Sequence, residues 1–586
     1  MEKKSLFQKL GIIFPKKERL YFLWLFFLML IGTAFDFLSV SLILPLVNVL
    51  VNPETVRGAV WFGLLQSLIP VQDLNDLMFI LVLIIIGIYI LKNLYSIYLS
   101  IVQSVFMARN QFNTSAKLLS CYIRKPYTFH LQHNTAEVVR NINNDVASAY
   151  SLVGSIISLI TSGLITVLLI VYLVMVDPVL TAAVVVGLVI YSVVYYLLVR
   201  KKMRTAGAES RKISVRMVKA IHQAVGGIKE VKVMGREQYF VDTFSENGRA
   251  YIRNNRKYRL LSTLPRHLIE MLCVSGVLGL IAYKIGARED LSAIVPSLSA
   301  FAVAAIKLMP NANSINSTIN SMTYMMPSLD AVCEIIDENF TGPDKLSAPE
   351  PASAPRKRVS ADSTGDIVLK GVSFTYPKMD EPVLKDIDLT IHHGESVGIC
   401  GVTGAGKTTL VDIILGLLEP QSGVVTYNGR DIREDYASWQ ARIGYVPQNI
   451  YLVDESIRSN VALGVYDEQI DDAAIWQALE RAQLAEFVRG LKDGLDTVIG
   501  ERGVRLSGGQ RQRIGIARAL YYDPDILFLD EATSALDNET ERAVMASIEA
   551  LSGQKTCIVI AHRLSTIERC DSIYRVEDCS IFPTEL

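Results

Sequence analysis

The stretch "SVGICGVTGAGKTTLVDIILGLL", residues 396–418, decides the fold of the second half of the chain. A short apolar run is followed by a glycine-rich turn, and the turn leads directly into a second apolar segment. A strand, a turn and a helix in this order predict a loop whose backbone N–H groups converge beside a helix N-terminus. Such a loop binds phosphate groups, so the stretch predicts a nucleotide site.

The spacing Gly401-x-x-x-x-Gly406-Lys407-Thr408 assigns roles within this turn. We expect the ammonium group of Lys407 to reach the β- and γ-phosphates and the hydroxyl of Thr408 to ligate Mg²⁺. The loop residues predicted to contact the nucleotide are Gly401, Val402, Thr403, Gly404, Ala405, Gly406, Lys407, Thr408 and Thr409. The loop alone occurs in every class of phosphate-loop NTPase, so further motifs are needed to assign the class of NTPase.

The first 330 residues consist largely of apolar runs. Half of the residues in the whole chain are hydrophobic and the mean hydropathy is positive, at +0.30, which is unusual for a soluble protein. A run of roughly 20 apolar residues crosses the hydrocarbon core of a bilayer. The candidate spans are 21–50, 77–107, 147–176, 178–199, 263–285 and 291–309. They predict six membrane helices; four spans with two buried helices is the alternative.

Basic residues in the connecting segments predict the orientation of these spans. Lys and Arg are frequent before residue 21, between 108 and 146, and between 200 and 259, whereas 51–76 and the turns near 177 and 288 hold few. Basic segments stay on the cytoplasmic side. We therefore expect the N-terminus and the nucleotide domain in the cytoplasm, and a multi-pass protein of the inner (plasma) membrane.

Composition changes again after the last candidate span. The stretch "TGPDKLSAPEPASAPRKRVSADSTGD", residues 341–366, is rich in Pro, Ala, Ser and charge, as linkers are. Beyond it, apolar strands alternate with helical segments, which predicts an α/β domain with a largely parallel sheet. The predicted domains are a membrane domain at 1–330, a linker at 331–366 and a nucleotide-binding domain at 367–586.

A second strand of the nucleotide domain ends in two acids. "ILFLDEA", residues 526–532, is apolar up to Asp530 and Glu531. We expect Asp530 to hold Mg²⁺ through water. We expect Glu531 to polarise the water that attacks the γ-phosphate.

The stretch "RLSGGQRQRIGIARAL", residues 505–520, indicates which class of phosphate-loop NTPase this domain belongs to. It resembles the signature motif of ABC ATPases, in which the motif of one subunit faces the nucleotide of the other. The resemblance implies that Ser507, Gly509 and Gln510 contact that nucleotide. Their position at the start of a predicted helix suits phosphate binding.

Three more motifs resemble the same family in order and spacing. Tyr376 in "VSFTYP" resembles the aromatic residue that stacks on adenine, and Gln448 in "YVPQN" resembles the glutamine near Mg²⁺. His562 in "IAHRL" resembles the switch histidine that contacts the γ-phosphate. The implied cofactors are ATP and Mg²⁺, with Glu531 and His562 as the catalytic residues.

The resemblance extends over the whole chain, to ABC exporter half-transporters. It implies a membrane domain of six transmembrane helices of the ABC exporter type and a cytosolic α/β P-loop ABC ATPase domain. Each chain holds half of each composite site, so we expect a homodimer; a heterodimer with a related chain is the alternative. Short coupling helices are expected near 127–133 and 236–240, and Glu501 in "TVIGERG" is the expected contact residue of an exporter loop.

The substrate is predicted from ionisable residues in or beside the spans, which are costly unless they face a cavity. The cavity candidates are Lys92, Arg259 and Lys307, and Asp36 lies in the first span. The first span and the amphipathic stretch 52–77 are similar to bacterial flippases of lipid-linked oligosaccharides. This similarity implies an amphipathic substrate, a polyprenyl-pyrophosphate glycan. A multidrug or lipid exporter is the alternative, and a peptide exporter is third. The net charge of −1 does not indicate a nucleic-acid partner.

Overall fold

The computed structural model describes residues 5–14, 16–41, 74–176, 178–286, 291–341, 365–377, 379–531, 538–549, 555–561 and 567–585. The chain divides into two compact units. One comprises Met1–Lys125 and His133–Ala348, and the other comprises Pro126–Gln132 and Pro349–Leu586. The domain boundaries at 330 and 366 stay predictions. Residues 331–341, assigned to the linker by composition, are helical.

The first unit is helical wherever its residues are described. Its helices, and helix α4 that belongs to the second unit, are α1 (Leu6–Ile13), α2 (Lys16–Ser41), α3 (Leu74–Ile123), α4 (Tyr127–Gln132), α5 (Thr135–Arg140), a π-helical turn (Asn141–Asp145), α6 (Val146–Val176), α7 (Pro178–Gly226), α8 (Ile228–Val233), α9 (Glu237–Gly286) and α10 (Leu291–Thr341).

Helices α3, α7, α9 and α10 are much longer than a membrane is thick. They contain 49 to 51 residues. At 1.5 Å per residue such a helix is about 75 Å long, more than twice the roughly 30 Å of the hydrocarbon core. These lengths agree with the predicted surplus of helix, and its extension beyond the bilayer stays a prediction.

Four stretches of the described residues are long and apolar enough to cross a membrane: Glu18–Ser39, Phe79–Ile123, Thr135–Met175 and Val184–Gly226. The predicted spans at 263–285 and 291–309 are helical, within α9 and α10. Many of their side chains lie outside the described part of the chain, as do residues 52–73 of the predicted external helix.

Short helices interrupt the long ones, and a glycine ends one of them. The predicted short helix at 127–133 corresponds to α4. The prediction at 236–240 was wrong in position, because the separate short helix is α8, and residues 237–240 form the first turn of α9. Gly235 has φ +60, a left-handed conformation that ends α8 before that turn.

Helices α7 and α10 approach each other closely at a glycine. A Cβ atom on Gly207 would lie 1.9 Å from the carbonyl oxygen of Tyr324. The ring of Tyr324 packs against that of Tyr258 of α9, with centroids 4.1 Å apart. Any larger residue at position 207 would push α7 and α10 apart.

A buried charge network ties α3, α5 and α7 to the π-helical turn. The carboxylate of Asp145, which is fully buried, accepts hydrogen bonds from Arg140 at 2.6 Å and Arg211 at 3.0 Å. Arg211 also donates to the side-chain oxygen of Asn141 at 2.9 Å, and Asn141 donates to the hydroxyl of Tyr122 at 2.6 Å. Asp145 therefore pairs with two cations from two helices, and Glu137 of α5 is a second acid 3.3 Å from Arg211.

The second unit is built around two sheets. Its strands are β1 (Ile367–Phe374), β2 (Leu384–Ile391), β3 (Ser396–Cys400), β4 (Ser422–Tyr427), β5 (Arg430–Asp431), β6 (Ile443–Val446), β7 (Ile526–Asp530), β8 (Thr556–Ile560), β9 (Ser572–Glu577) and β10 (Ser580–Pro583). An antiparallel sheet has the order β2-β1-β4-β5, and a larger sheet has the order β10-β9-β3-β8-β7-β6. The larger sheet is parallel except for β10.

Helices of the second unit follow the strands. Besides α4 they are α11 (Lys407–Ile414), α12 (Tyr436–Ala441), α13 (Ile457–Val461), α14 (Asp472–Arg481), α15 (Ala485–Arg489), α16 (Gly508–Leu520) and α17 (Asn538–Glu549), with 3₁₀ turns at Asp467–Gln469, Gly494–Asp496 and Glu501–Gly503. Every residue of β7 and β8 is buried. Such continuous apolar strands are typical of a parallel sheet covered on both faces, and the predicted α/β domain is confirmed.

We expect Asp145→Asn to destabilise the membrane unit, because it removes the negative charge between the buried Arg140 and the partly buried Arg211. Breaking a buried ion pair costs about 3 to 5 kcal/mol in the free energy of unfolding. Thermal unfolding of the purified protein measures the loss. Glu209→Gln is the matched control, since Glu209 and its partner Arg216 are both exposed and 3.5 Å apart; it should cost about 0 to 1 kcal/mol. Equal melting temperatures for both variants would contradict the assigned role of the network.

Candidate functional site

Neighbouring parallel strands bring their carboxyl ends to one edge of the larger sheet. Ile399 in β3 lies opposite Ile560 in β8, which lies opposite Asp530 in β7. Strand β6 pairs in parallel with β7 and ends two residues before Gln448. Ligands of open α/β sheets bind at this edge. The phosphate loop after β3, the acids at the end of β7 and Gln448 are therefore brought to one place.

The loop between β3 and α11 depends on glycine at two positions. Gly401 has φ +145, and a Cβ atom there would lie 2.4 Å from the carbonyl oxygen of Val576. Gly406 has φ +105 and precedes the first residue of α11. Both conformations are strained for other residues. The loop can therefore keep its backbone N–H groups at the start of α11, as the sequence predicts.

Lys407 is held across the loop that precedes it. Its ammonium group donates to the carbonyl oxygens of Gly401 at 2.8 Å and Val402 at 3.0 Å. Burial lowers the pKa of Lys407, and the carboxylates of Glu531 and Asp530 oppose that shift. The ammonium group of Lys407 therefore lies at the loop, within the electric field of Asp530 at the end of β7 and of Glu531 directly after it.

Glu531 and Gln448 form a direct hydrogen bond. The side-chain amide of Gln448 donates to the carboxylate of Glu531 at 2.8 Å. Glu531 has φ 49, in the left-handed region, and its backbone N–H donates to the carbonyl oxygen of Ile560 at 3.0 Å. A non-glycine residue in this region costs of order 1 kcal/mol or more and is typical of functional sites. The strained turn directs the carboxylate towards Gln448.

A further acid lies beside the site and was not singled out from the sequence. Asp412 is a buried residue of α11. Burial, and then the charge of Asp530, raise the pKa of Asp412 to about 6. The signal that could have revealed it is a single acid within the otherwise apolar turn "LVDIIL". Asp412 adds to the negative potential at the end of β7.

The predicted metal ligands present oxygen donors of the kind that Mg²⁺ prefers. They are the exposed hydroxyl of Thr408, the amide of Gln448 and the buried carboxylate of Asp530. Mg²⁺ in nucleotide sites uses one or two carboxylates together with phosphate oxygens and water. Within the described residues no group of three or more His, Cys, Asp or Glu side chains could hold a metal ion. The residues fit an ion that binds together with a nucleotide.

Tyr376 lies beside the phosphate-loop helix. Its hydroxyl is 3.1 Å from the hydroxyl of Thr409, and its ring meets that of Phe374 edge to face, with centroids 5.0 Å apart. The structure thus places the predicted adenine-stacking residue next to the predicted phosphate loop.

The predicted signature residues form the start of a helix. Ser507 is the N-cap of α16, and its hydroxyl accepts a hydrogen bond from the backbone N–H of Gln510 at 3.2 Å. The side-chain oxygen of Gln510 accepts from the backbone N–H of Ser507 at 2.9 Å, which completes a capping box. Gly508 and Gly509 form the first turn. In the described residues, no hydrogen bond joins Ser507 or Gln510 to the phosphate loop.

His562 and the "SALD" segment ending at Asp537 lie outside the described residues. Glu501 is exposed in a 3₁₀ turn. The roles assigned to all these positions stay predictions.

The candidates for the substrate cavity are in different environments. The ammonium group of Lys92 in α3 forms an ion pair with Asp36 of α2 at 2.5 Å. Arg259 in α9 is exposed and forms no ion pair with any described residue. Lys307 is part of α10, and its side chain lies outside the described part. The sequence did not predict that Lys92 and Asp36 neutralise each other.

Comparison with known proteins places both units in one family. Residues 22–278 match the family model "ABC transporter transmembrane region", and residues 384–534 match the model "ABC transporter". An ATP-dependent lipid A-core flippase of Escherichia coli (strain K12) is 31% identical over 505 residues, which cover 85% of this chain and 83% of that protein. The protein of the same description from Chromobacterium violaceum is 30% identical over 83% of this chain and 82% of its own length.

A solved structure, described as a bacterial Atm1-family ABC exporter with ATP bound, has the same fold. Its TM-score is 0.76, and the match covers 96% of this chain and 94% of that chain. The sequences are 22% identical, so this likeness concerns the fold alone.

We expect Glu531→Gln to retain ATP binding and to lower ATP turnover by about 10²-fold or more, because the attacking water loses its general base. Glu434→Gln is the matched control, since Glu434 is an exposed acid of the same unit; it should leave turnover unchanged. Phosphate release from the purified protein measures turnover, and nucleotide retention measures binding. Turnover near that of the wild type in Glu531→Gln would exclude Glu531 as the base.

Proposed function

Because the chain belongs to the ABC transporter family, as a half-transporter with the exporter fold, we propose that it flips a lipid with a phosphate-bearing head group across a membrane. Its ATPase domain couples ATP hydrolysis to transport. The choice of a lipid is supported by the likeness to lipid A-core flippases over 85% of the chain, a length that includes the membrane domain. Within this class we propose a polyprenyl-pyrophosphate glycan.

At the phosphate end of the site, we assign Lys407 and the loop N–H groups to the β- and γ-phosphates. Lys407 already lies across the loop, so binding requires only that its ammonium group exchange two carbonyl partners for phosphate oxygens. Tyr376 beside α11 is assigned to the adenine ring. The dipole at the N-terminus of α11 also stabilises the negative charge of the phosphates.

Hydrolysis is assigned to Glu531, with His562 at the γ-phosphate. The carboxylate of Glu531 accepts the proton of the attacking water, and the bond from Gln448 orients that carboxylate. Thr408, Gln448 and Asp530 would hold Mg²⁺, which neutralises charge on the phosphates when it is bound. Gln448 thus contacts both the general base and the proposed metal position.

The signature residues Ser507, Gly509 and Gln510 are assigned to the nucleotide of a second subunit. The capping box fixes the first turn of α16 and leaves the helix dipole available to a phosphate. A single chain contains every predicted catalytic and binding group, so two identical chains can form two complete sites. We therefore propose a homodimer.

Transmission to the membrane domain is assigned to the short helices. Residues Pro126–Gln132, which contain α4, belong to the same compact unit as the ATPase fold. Burial raises the pKa of Tyr127 in α4, and the charge of Asp412 on the phosphate-loop helix raises it further. We propose that a change at α11 reaches the membrane unit through α4, because both ends of α4 continue along the chain into that unit.

The proposed head-group contacts are Arg259 and Lys307. Arg259 is an exposed cation without a described ion pair, and a lysine at the depth of Lys307 is costly unless it faces a hydrated cavity. Lys92 is a weaker candidate because Asp36 compensates its charge. The distribution of basic segments supports an inner (plasma) membrane location with the ATPase domain in the cytoplasm.

A second candidate function is export of neutral amphiphiles, as in multidrug exporters. The Asp36–Lys92 pair favours it, since the pair leaves that part of the membrane domain without net charge.

The composite arrangement predicts complementation between two inactive variants. Lys407→Ala removes a phosphate contact, and Ser507→Arg blocks the signature helix, so each homodimer should be inactive. Mixed dimers should regain ATPase activity, because one of their two sites pairs an intact loop with an intact signature. Full-rate hydrolysis by a monomer, or no recovery in dimers shown to be mixed, would exclude the arrangement.

We expect Lys307→Ala to lower flipping of a pyrophosphate-linked glycan lipid in proteoliposomes by about tenfold, because a charge-assisted hydrogen bond contributes about 1.5 to 3 kcal/mol. Basal ATP turnover should change much less, and Lys307→Arg should retain more flipping than Lys307→Ala. Lys212→Ala, an exposed lysine of α7, is the control and should flip normally. Unchanged flipping in Lys307→Ala, or transport of neutral amphiphiles but not of pyrophosphate lipids, would favour the second candidate.

A further inference from the structure

A cavity of about 720 Å³ lies between α7 and α9 in the membrane unit. It is lined by polar and charged side chains and by two leucines: Lys201, Lys202, Thr205, Glu209, Asn254, Lys257, Leu260 and Leu261, together with Ala206. Its volume lies within the range of small-molecule sites, about 300 to 1,000 Å³. None of its residues was singled out by the sequence, and the cavity plays no part in the ATP site.

The three lysines of this cavity are uncompensated cations. Lys201, Lys202 and Lys257 are exposed and form no ion pair with any residue that the structure describes. The single acid of the cavity, Glu209, is instead paired with Arg216, at 3.5 Å. Elsewhere on α7 the cations Arg204 and Arg211 have carboxylate partners. The cavity therefore carries a local positive charge that no described carboxylate neutralises through an ion pair.

The cavity lies where the membrane surface is expected. The predicted span in α7 ends at Val199, and the guanidinium of Arg200 lies over the ring of Tyr196, 5.5 Å from its centroid. Aromatic residues with adjacent cations mark the interface between hydrocarbon and water. Lys201 and Lys202 follow within one helical turn, on the side assigned to the cytoplasm. Their ammonium groups are thus at the level of inner-leaflet head groups.

The lining changes from apolar to cationic along the membrane normal. Leu260 and Leu261 are the lining residues of α9 nearest the predicted fifth span, and Lys257 is one turn further towards the cytoplasm. A lipid offers the matching order, with apolar chains beside the leucines and an anionic head beside the lysines. Thr205 and Asn254 also line the cavity, and their side chains donate to the carbonyl oxygens of Lys201 at 2.9 Å and Ala206 at 2.8 Å.

We propose that this cavity binds a phosphate-bearing lipid of the inner leaflet from the surface of α7 and α9. Arg259 is not among the described residues that line this cavity, and the proposal does not depend on the proposed cargo. Each basic residue near an anionic membrane surface contributes about 1 kcal/mol. Three uncompensated lysines therefore suffice for a clear preference for anionic over zwitterionic lipid.

Lipid retention on the full-length protein tests the proposal. The purified wild type is titrated with phosphatidylglycerol or with phosphatidylcholine of the same chains, and bound lipids are counted by native mass spectrometry. The variant Lys201→Gln/Lys202→Gln/Lys257→Gln should retain about 10²-fold less phosphatidylglycerol, with phosphatidylcholine unchanged. The matched control Lys212→Gln/Lys219→Gln/Lys229→Gln removes three exposed cytosolic lysines outside the cavity and should retain phosphatidylglycerol as the wild type does.

A charge-conserving variant and a competition with inorganic phosphate complete the experiment. Lys201→Arg/Lys202→Arg/Lys257→Arg keeps the charge and should restore retention, which separates loss of binding from loss of fold. An excess of inorganic phosphate should not displace the lipid; displacement would assign the cavity to a soluble anion and overturn the lipid assignment. Equal retention in wild type and cavity variant, or equal loss in cavity and control variants, would also overturn it. Because retention needs no turnover, failure of pyrophosphate-lipid flipping would leave this result unaffected.

Discussion

The register of parallel strands in the larger sheet is the constraint on which the ATP site depends. The pairing of Ile399 with Ile560, and of Ile560 with Asp530, places the phosphate loop and the acidic pair at the same height on one edge. A shift of one residue would turn Asp530 to the other face of the sheet. The continuous burial of β7 and β8 makes such a shift costly, since it would change the packing on both faces. Apolar packing of the sheet thus fixes the positions of the phosphate loop and the acidic pair, although these polar groups take no part in that packing.

Sequence reasoning was most reliable where the chemistry requires a local pattern. The glycines at 401 and 406 have no substitute, because a side chain would meet the backbone or require a strained φ, so the loop could be read directly. The long helices followed from the length of the apolar runs, and the helix that opens at Ser507 followed from the resemblance of its motif to the ABC signature.

Contacts between distant segments could not be predicted from local patterns. The hydrogen bond from Gln448 to Glu531 joins residues 83 positions apart. The Asp36–Lys92 pair joins two spans whose relative rotation no single-helix pattern reveals. The shift of the second short helix to α8 has a local cause, since Gly235 ends that helix and a propensity argument did not place its left-handed turn. Each miss concerns tertiary pairing or a single backbone conformation.

The membrane unit contains two kinds of cationic side chain, buried ones with carboxylate partners and exposed ones at the α7–α9 cavity. Where cations are buried, as at Arg140, a carboxylate accompanies them, because an isolated charge in an apolar interior is too costly. The three lysines of the α7–α9 cavity have no ion-pair partner in the part of the chain that the structure describes, and we propose that a lipid head group pairs with them. Ion pairs hold the helices together, and uncompensated cations are left for ligands.

The central claim is that hydrolysis of ATP at this site moves a phosphate-bearing lipid between leaflets. The most direct measurement follows a head-group-labelled pyrophosphate lipid in proteoliposomes of the wild-type protein, using a membrane-impermeant quencher, while ATP consumption is recorded in the same sample. The account predicts that the protected fraction changes only when ATP is hydrolysed, and not with a non-hydrolysable analogue. Normal ATP consumption without any movement of the lipid would contradict it.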